Sequence, residues 1–474
     1  MATPRITLMS EAEKDFVHEQ TVRVLEEVGV AYNSGQAIDL LEKAGAPVDR
    51  ERLTARLPWP LVEECLRLAP REVLLAGRDP SRDCVLREGG LVCTSDGAAT
   101  NWLDDESGVR REGKTDDLRR MSRLFDALDE IDFVWATITP LELDPLTAGL
   151  ELAFITLENC AKHVQDEVRF PDQVESFIGM LEAIAGASLH ERPIYSVTSC
   201  TIAPLQHDKE MTEAHMAMAR AGVPVFILPM PQMGTTGPMS TLGCTIVNMA
   251  ELLSAVVLFQ LAAPGCALVS GVGVAAAEMR SGLYLCGTPE VALINVMCIE
   301  MNKRYGLLSM GSGVTSDAKG CDLQAGAEGM MTGLAAVLAG AECLLAFGLI
   351  DGAQTASLAK TVLDADTVGM IRRFCRSEPI DATKALMDDI VEVGIGGHYL
   401  GRKSTRALSR SNELWRPALF RRGPWEEYAA RPLAAEAAER ARELIATHKV
   451  PPLADEARAE ARRIIERYAA RRRA

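Results

Sequence analysis

A parallel α/β fold, a TIM (β/α)8 barrel with a helical N-terminal layer, a small antiparallel sheet and a helical C-terminal extension, is predicted by three observations. Apolar strand-like runs alternate with helical stretches from residue 131 to residue 374, as consecutive βαβ units require. The runs are continuously apolar, which marks strands covered on both faces of a parallel sheet. No G-x-G-x-x-G follows an early strand and no G-x-x-x-x-G-K-[ST] occurs, which favours a barrel over a doubly wound nucleotide-binding sheet. The chain of 474 residues suits one large barrel with extensions, divided here as 1–130, 131–380 and 381–474.

Taken in order, residues 11–28, 36–43 and 60–68 have helical periodicity, the last after the breaks at Pro58 and Pro60. Between 72 and 101 the short runs EVLLAG, CVLREGG and LVCTSDGAATNW, separated by Gly and Asp, predict the small antiparallel sheet. Asp104, Asp105 and Glu106 then read as a solvated hairpin tip. Seven barrel strands follow, at 131–140, 162–164, 194–200, 223–231, 267–274, 307–314 and 343–350, with helices at 145–161, 171–187, 208–221, 239–261, 323–338 and 357–374 between or after them. The helix after the fifth of these strands has a marked start in Thr288, Pro289 and Glu290, an N-cap, an N1 proline and an acidic first turn. Asp322 is positioned to cap the helix from 323. An eighth strand is not evident and has room between 381 and 400; helices at 382–393, 433–449 and 453–473 close the chain.

The bulk properties exclude several partners. A net charge of −16 lacks the basic footprint that nucleic acid or an anionic membrane demands. Twelve scattered cysteines without a C-x-x-C pair read as reduced core residues, and the N-terminus has no apolar signal segment, so a cytoplasmic protein is expected. The stretch 239–261 is long enough to cross a bilayer, but Asn248, Glu251, Gln260 and the flanking Gly and Pro predict a helix buried in protein. Glu251, a lone carboxylate on that helix, must be paired or protonated.

Chemistry in a parallel barrel belongs to residues just after the strands. These include Thr139, His163, Gln165, Asp166, Ser199, Cys200, Thr201, Gln232, Glu278 and 351–354. The densest group is the stretch 307–328, LLSMGSGVTSDAKGCDLQAGAE, which passes through Gly311 and Gly313 and then releases Ser316, Asp317, Lys319, Asp322, Gln324 and Glu328. No H-E-x-x-H, H-x-C or G-G-C-C occurs, so no intrinsic metal is expected. Lys319, close to Asp317 and Asp322, is expected to pair with a carboxylate rather than to act as a nucleophile.

The segments SDAKGCDLQAGAE (316–328), PMPQMGTTGPMSTLGCTIVNMAE (229–251) and HYLGRKSTRALSRSNELWRP (398–417) resemble the trimethylamine methyltransferase family, in the right order and across most of the chain. The resemblance is to its non-pyrrolysine branch, which includes glycine betaine methyltransferases. It implies a barrel whose top face receives a separate corrinoid-binding protein, so that Co(I) takes a methyl group from an amine bound in the barrel. The founding enzymes carry pyrrolysine; this chain holds only the standard twenty residues, so a quaternary amine is the expected substrate.

Such a site needs carboxylates and aromatic faces around the cation. Asp317, Lys319 and Asp322 are the expected catalytic residues. Gln324, Glu328, His163, Tyr284, Phe347, His398 and Arg406 are the expected substrate contacts, the donors among them serving a betaine carboxylate. Gly311, Gly313, Gly234 and Ser316 are expected to border the corrinoid, and a homo-oligomer is expected to form through the long apolar helices. The alternatives are a barrel lyase or hydrolase using Asp317, Lys319 and Asp322 as acid and base groups, and a non-catalytic small-molecule-binding barrel.

Overall fold

The computed structural model describes residues 4–345, 347–427 and 431–473, so Ala346 in the last predicted strand and Tyr428 lie outside the described residues. Eight parallel strands form one sheet: β1 (Val92–Thr94), β2 (Val134–Trp135), β3 (Val164–Asp166), β4 (Tyr195–Cys200), β5 (Val225–Leu228), β6 (Leu268–Gly271), β7 (Ser309–Ser312) and β8 (Cys343–Leu345). Each pairs with its chain neighbour, β8 pairs with β1 through Leu344 and Cys93, and a parallel bridge from Thr94 to Phe133 joins β1 to the run into β2, closing the barrel.

The missing strand is thus the first, not the last. Val92–Thr94, expected in the antiparallel sheet, is a barrel strand, so the barrel reaches back past residue 131; the stretch 381–400 forms the short helices Ala382–Ala385 and Met387–Val393. Three residues flanked by Gly89, Gly90 and the Ser95–Gly97 turn are too short to show as a buried strand by periodicity.

One helix follows each strand: α1 (Thr115–Ala127), α2 (Ala148–Asn159), α3 (Val174–Ala185), α4 (Lys209–Arg220), α5 (Thr241–Ala262), α6 (Pro289–Arg304), α7 (Leu323–Ala339) and α8 (Leu358–Cys375). The capping signals hold: Thr288 accepts from the Val291 N–H at the start of α6, and Asp322 from the Ala325 N–H at the start of α7 (3.1 Å). Helix α5 is apolar enough to cross a membrane, yet 78% of its most apolar window is buried inside the protein. Its Glu251 carboxylate accepts from the Thr201 hydroxyl and the Leu205 N–H (2.8 Å), tying α5 to the loop after β4.

Inside the barrel, Phe133, Phe226, Val269 and Met310 form a core with Val73, Leu75 and Leu86. The last three come from the antiparallel hairpin Glu72–Leu75 and Cys84–Arg87, whose alternate residues point into the barrel while Glu72 and Leu74 face water. The hairpin plugs the amino ends of the strands. Buried Lys162 lies at the same end, its ammonium donating to the carbonyls of Phe125 (2.6 Å), Leu128 (2.7 Å) and Ile131 (2.7 Å), and so fixes the end of α1 to the start of β2.

The N-terminal helices Glu11–Arg23, Gly35–Lys43 and Trp59–Leu68 form the expected layer, joined by a small antiparallel sheet of Val30–Ala31, Val48–Asp49 and Thr54–Ala55. Helices α9 (Leu433–Thr447) and α10 (Asp455–Arg473) pack against α8 and α3. Between α8 and α9 runs an exposed arm; Ile380, Met387, Val391, Ile395 and Leu400 are all open to solvent.

Candidate active site

At the carboxyl ends of the strands lies a cavity of about 300 Å3 to which all eight strand ends contribute. Its floor is the top of the barrel core, where Trp135, Leu228 and Leu345 close the inner packing. Asp96 and Gly97 enter from the turn after β1, Glu167 from after β3, Cys200 from β4, and Met230 and Gly273 from after β5 and β6. Two small sheets raise the walls. Ala275–Ala277 pairs with Tyr284–Leu285 and brings Tyr284 and Cys286 to the cavity; Asn101–Leu103 pairs with Thr355–Ala356 and supports Gly352 to Gln354.

The carboxylates are held in a desolvated setting. Burial pushes Asp96 up to about 6, against the opposing pull of the Gly97 N–H it accepts from (2.8 Å). Asp166, one residue before Glu167, is pushed up to about 7 by burial and by the Glu167 charge, and it accepts the Trp135 indole N–H (3.2 Å). Gly97 lies on the Trp135 ring so closely that a Cβ there would collide with it. The indole is therefore set from both sides, by a hydrogen bond at its edge and by a bare backbone on its face. Burial raises the Cys200 and Cys286 thiols and the Tyr284 phenol, keeping all three protonated.

The predicted 316–328 cluster is brought together, but as a buttress behind this wall. Asp317 accepts the N–H groups of Cys286 (2.9 Å) and Gly287 (3.0 Å), so both its oxygens are spent on the backbone that carries Tyr284. Glu328 accepts from the Ser316 hydroxyl (2.7 Å), the Asp317 N–H (2.8 Å) and the Gln324 amide (2.8 Å). Lys319 pairs with Asp351 at the exposed rim, as expected of it, and Asp322 is taken up by capping α7. The acid–base alternative on Asp317, Lys319 and Asp322 finds each of the three engaged with a different partner.

The other expected contacts divide sharply. Tyr284 lines the cavity. Phe347 is buried in the core outside the lining, and His163 lies at the opposite end of the barrel, its ring nitrogens facing the Ala76 and Pro193 carbonyls (3.2 and 3.0 Å) and the Ser196 hydroxyl (2.9 Å). Burial lowers its pKa to about 4, keeping it neutral. His398 and Arg406 are exposed on the arm and do not line the cavity.

Gly311 and Gly313 face the helices: a Cβ on Gly311 would lie 2.9 Å from the Ala336 Cβ, and one on Gly313 2.8 Å from the Gly333 Cα. Gly234 sits beneath Met239 and Met279, whose sulfurs both approach its Cβ position to 3.0 Å. With Met230 and Leu283 these exposed side chains form an apolar rim beside the mouth, a surface suited to an approaching protein. Asp105, read as a solvated tip, instead accepts from the Ser357 hydroxyl (2.7 Å) and the Ala359 N–H (3.1 Å) at the start of α8.

Sequence reading missed Asp96, Trp135 and Glu167. The signal for Asp96 and Gly97 is S-D-G directly after an apolar run, and it points to a site only once that run is a barrel strand. Among the described residues, no three His, Cys, Asp or Glu side chains are placed to hold a metal ion.

A larger cavity of about 780 Å3 opens at the other end of the barrel, lined by Asp132, Lys303, Glu342 and Arg372. Four of its charges are paired with one another, Lys303 with Glu342 and Arg372 with Asp132, and it lies away from the strands' carboxyl ends. The smaller cavity is the candidate active site.

The trimethylamine methyltransferase (MTTB) family model matches residues 1–474. The chain is 28% identical to trimethylamine methyltransferase MttB of Desulfitobacterium hafniense over 460 residues (96% of this chain, 93% of the relative), and 29% identical to MttB of Methanosarcina thermophila over 458 residues (94% of each). It is 28% identical over 457 residues to a glycine betaine methyltransferase of Desulfitobacterium hafniense (95% of each). The chain is therefore a methyltransferase, and it belongs to the trimethylamine methyltransferase family.

Proposed function

We propose that the chain transfers a methyl group from a quaternary amine, a molecule with the trimethylammonium head of glycine betaine, to Co(I) of a corrinoid carried by a separate protein. One observation carries the reading: a single small cavity is lined by both Trp135 and Tyr284 and by the carboxylates of Asp96 and Glu167. Aromatic faces and carboxylates are the groups that stabilise a quaternary ammonium, which has no N–H to donate.

The chemistry asks little else of the chain. A quaternary nitrogen departs as a neutral tertiary amine, so no general acid is needed. The corrinoid, presented at the mouth, supplies the nucleophile that accepts the methyl group. Asp96 and Glu167 hold the cation, Trp135 and Tyr284 orient its head, and Leu228, Leu345 and Met230 exclude water. Positive charge declines on the nitrogen as the methyl leaves, so the carboxylates serve binding and alignment more than stabilisation of the transition state. The apolar rim of Met239, Met279 and Leu283 suits the docking of the corrinoid protein, and Gly234 beneath it is the one predicted corrinoid neighbour positioned near that rim.

The reaction is tested by mixing the chain with a Co(I) corrinoid protein and a panel of amines while following the Co(I) absorbance. Loss of the Co(I) signal with quaternary amines is expected; a spectrum unmoved by all of them, or moved only by trimethylamine, would overturn the assignment.

A cytoplasmic setting suits twelve free cysteines. The homo-oligomer is retained, with a different seat. The longest apolar helix, α5, is buried within the chain, and we assign the open apolar side chains of the 380–400 arm, apart from the rim at the cavity mouth, to contact with a second copy. Ile395→Asp with Leu400→Asp should yield a monomer by light scattering; an unchanged mass would remove the arm from the interface.

A further inference from the structure

The charge lining the cavity is of one sign. Its charged side chains are Asp96 and Glu167; the other polar side-chain groups are the Tyr284 phenol, the Gln354 amide, two hydroxyls, two thiols and the Trp135 indole N–H, which is spent on Asp166. The hydroxyls of Ser312 and Thr315 already donate to the carbonyls of Val272 (2.5 Å) and Cys286 (2.9 Å). The cations near these carboxylates are themselves engaged elsewhere or at the rim: Arg169 with Glu167 (3.1 Å), Arg110 with Asp351 (3.2 Å), Lys319 with the same Asp351, and buried Lys360, whose charge also acts on Asp96, with Asp364. None of these is among the cavity's lining residues.

A betaine differs from a simple quaternary ammonium ion only in its tail, where a carboxylate needs charged or multiple N–H donors. In this cavity that carboxylate would lie beside the desolvated charge of Asp96, where repulsion is weakly screened, and beside Glu167, whose charge Arg169 offsets in part from the rim. A neutral tail meets no such opposition, and the Gln354 amide and Tyr284 phenol can serve a hydroxyl.

Resting on the reading that the bound head group is a quaternary ammonium, we propose that this site selects net-cationic substrates with a neutral alkyl or hydroxyalkyl tail, and discriminates against betaines through Asp96 and Glu167. The trimethylammonium head places a substrate in the family's chemistry; the two carboxylates choose among tails.

The test is equilibrium binding to the full chain without corrinoid, by tryptophan quenching and calorimetry, using tetramethylammonium, choline, glycine betaine and the neutral choline isostere 3,3-dimethylbutan-1-ol. Choline and tetramethylammonium should bind about tenfold or more tightly than glycine betaine. Glu167→Gln and Asp96→Asn should each weaken choline and narrow that ratio. Glu167 is partly exposed, so its variant keeps the test open if the Asp96 change impairs folding, which thermal unfolding will reveal. Glycine betaine binding as tightly as choline, or a ratio unmoved in both folded variants, overturns the charge selection and leaves the ammonium reading standing. Equal binding of choline and its neutral isostere, or no binding by any of the four, overturns both.

Discussion

Asp96, Trp135 and Glu167 show how a small site is set by what surrounds it. The Asp96 pKa of about 6 means that cation binding should weaken as pH falls through that value, since protonation removes the charge the ligand needs. Titrating choline binding between pH 5 and pH 8 should show this loss on the acid side, and Asp96→Asn should flatten the profile. Stability runs the other way. Asp96 at about 6 and Asp166 at about 7 are both raised above an unfolded value of about 3.9, so the stability they contribute is fully present below about pH 4 and is lost as pH rises through 6 to 7. Asp166→Asn should therefore reduce the dependence of thermal stability on pH across that window. Trp135→Ala removes a cation-binding face and should weaken quaternary ammonium binding by roughly tenfold or more, and Gly97→Ala should do part of the same by displacing the indole.

Individual elements hold the site through backbone contacts. The loop from Thr315 to the start of α7 presents Asp317 to two N–H groups, so Asp317→Ala should loosen the Tyr284 wall and lower binding and activity together. Rescue by Asp317→Asn should be partial, because one oxygen acceptor remains. Just after β7 the constraint is steric. A methyl on Gly313 would drive into the Gly333 backbone of α7, so Gly313→Ala should destabilise the fold by about 1–3 kcal/mol, read as a lower urea midpoint. At the other end of the barrel, Lys162→Met would take the shared ammonium donor from three buried carbonyls, of which Leu128 keeps the Ile131 N–H (3.3 Å). A loss of roughly 2–4 kcal/mol is expected in the same assay, with ligand affinity of the folded protein unchanged.

Across the whole molecule the two ends of the barrel do different work. The hairpin from residue 72 to residue 87 and Lys162 seal the amino ends, while the carboxyl ends keep open space, acidic charge and an apolar rim. Substitutions in the larger cavity at the sealed end, such as Arg376→Ala, should leave choline binding untouched, although that cavity has the greater volume. A change in affinity there would show that the ligand had been assigned to the wrong end.

The sequence by itself determined the alternation of strands and helices, the caps at Thr288 and Asp322, the buried course of α5 and the family. These follow from local periodicity, from side chains reaching their own backbone three residues on, and from motifs that survive in order. That Lys319 pairs with a carboxylate was also legible, though the partner is Asp351, which the fold brings to it from after β8. Closure of the sheet was not, because three residues at Val92–Thr94 become a barrel strand only when β8 arrives beside them. The same dependence hid the acidic lining. Asp96 and Glu167 lie far apart in the chain and look like ordinary turn residues, and only the ring of eight strands brings them to one cavity, while spending the more conspicuous Asp317 and Asp322 on backbone N–H groups. Sequence spacing reports what a side chain can reach within its own element; which carboxylates come to line one cavity is decided by the closing of the barrel.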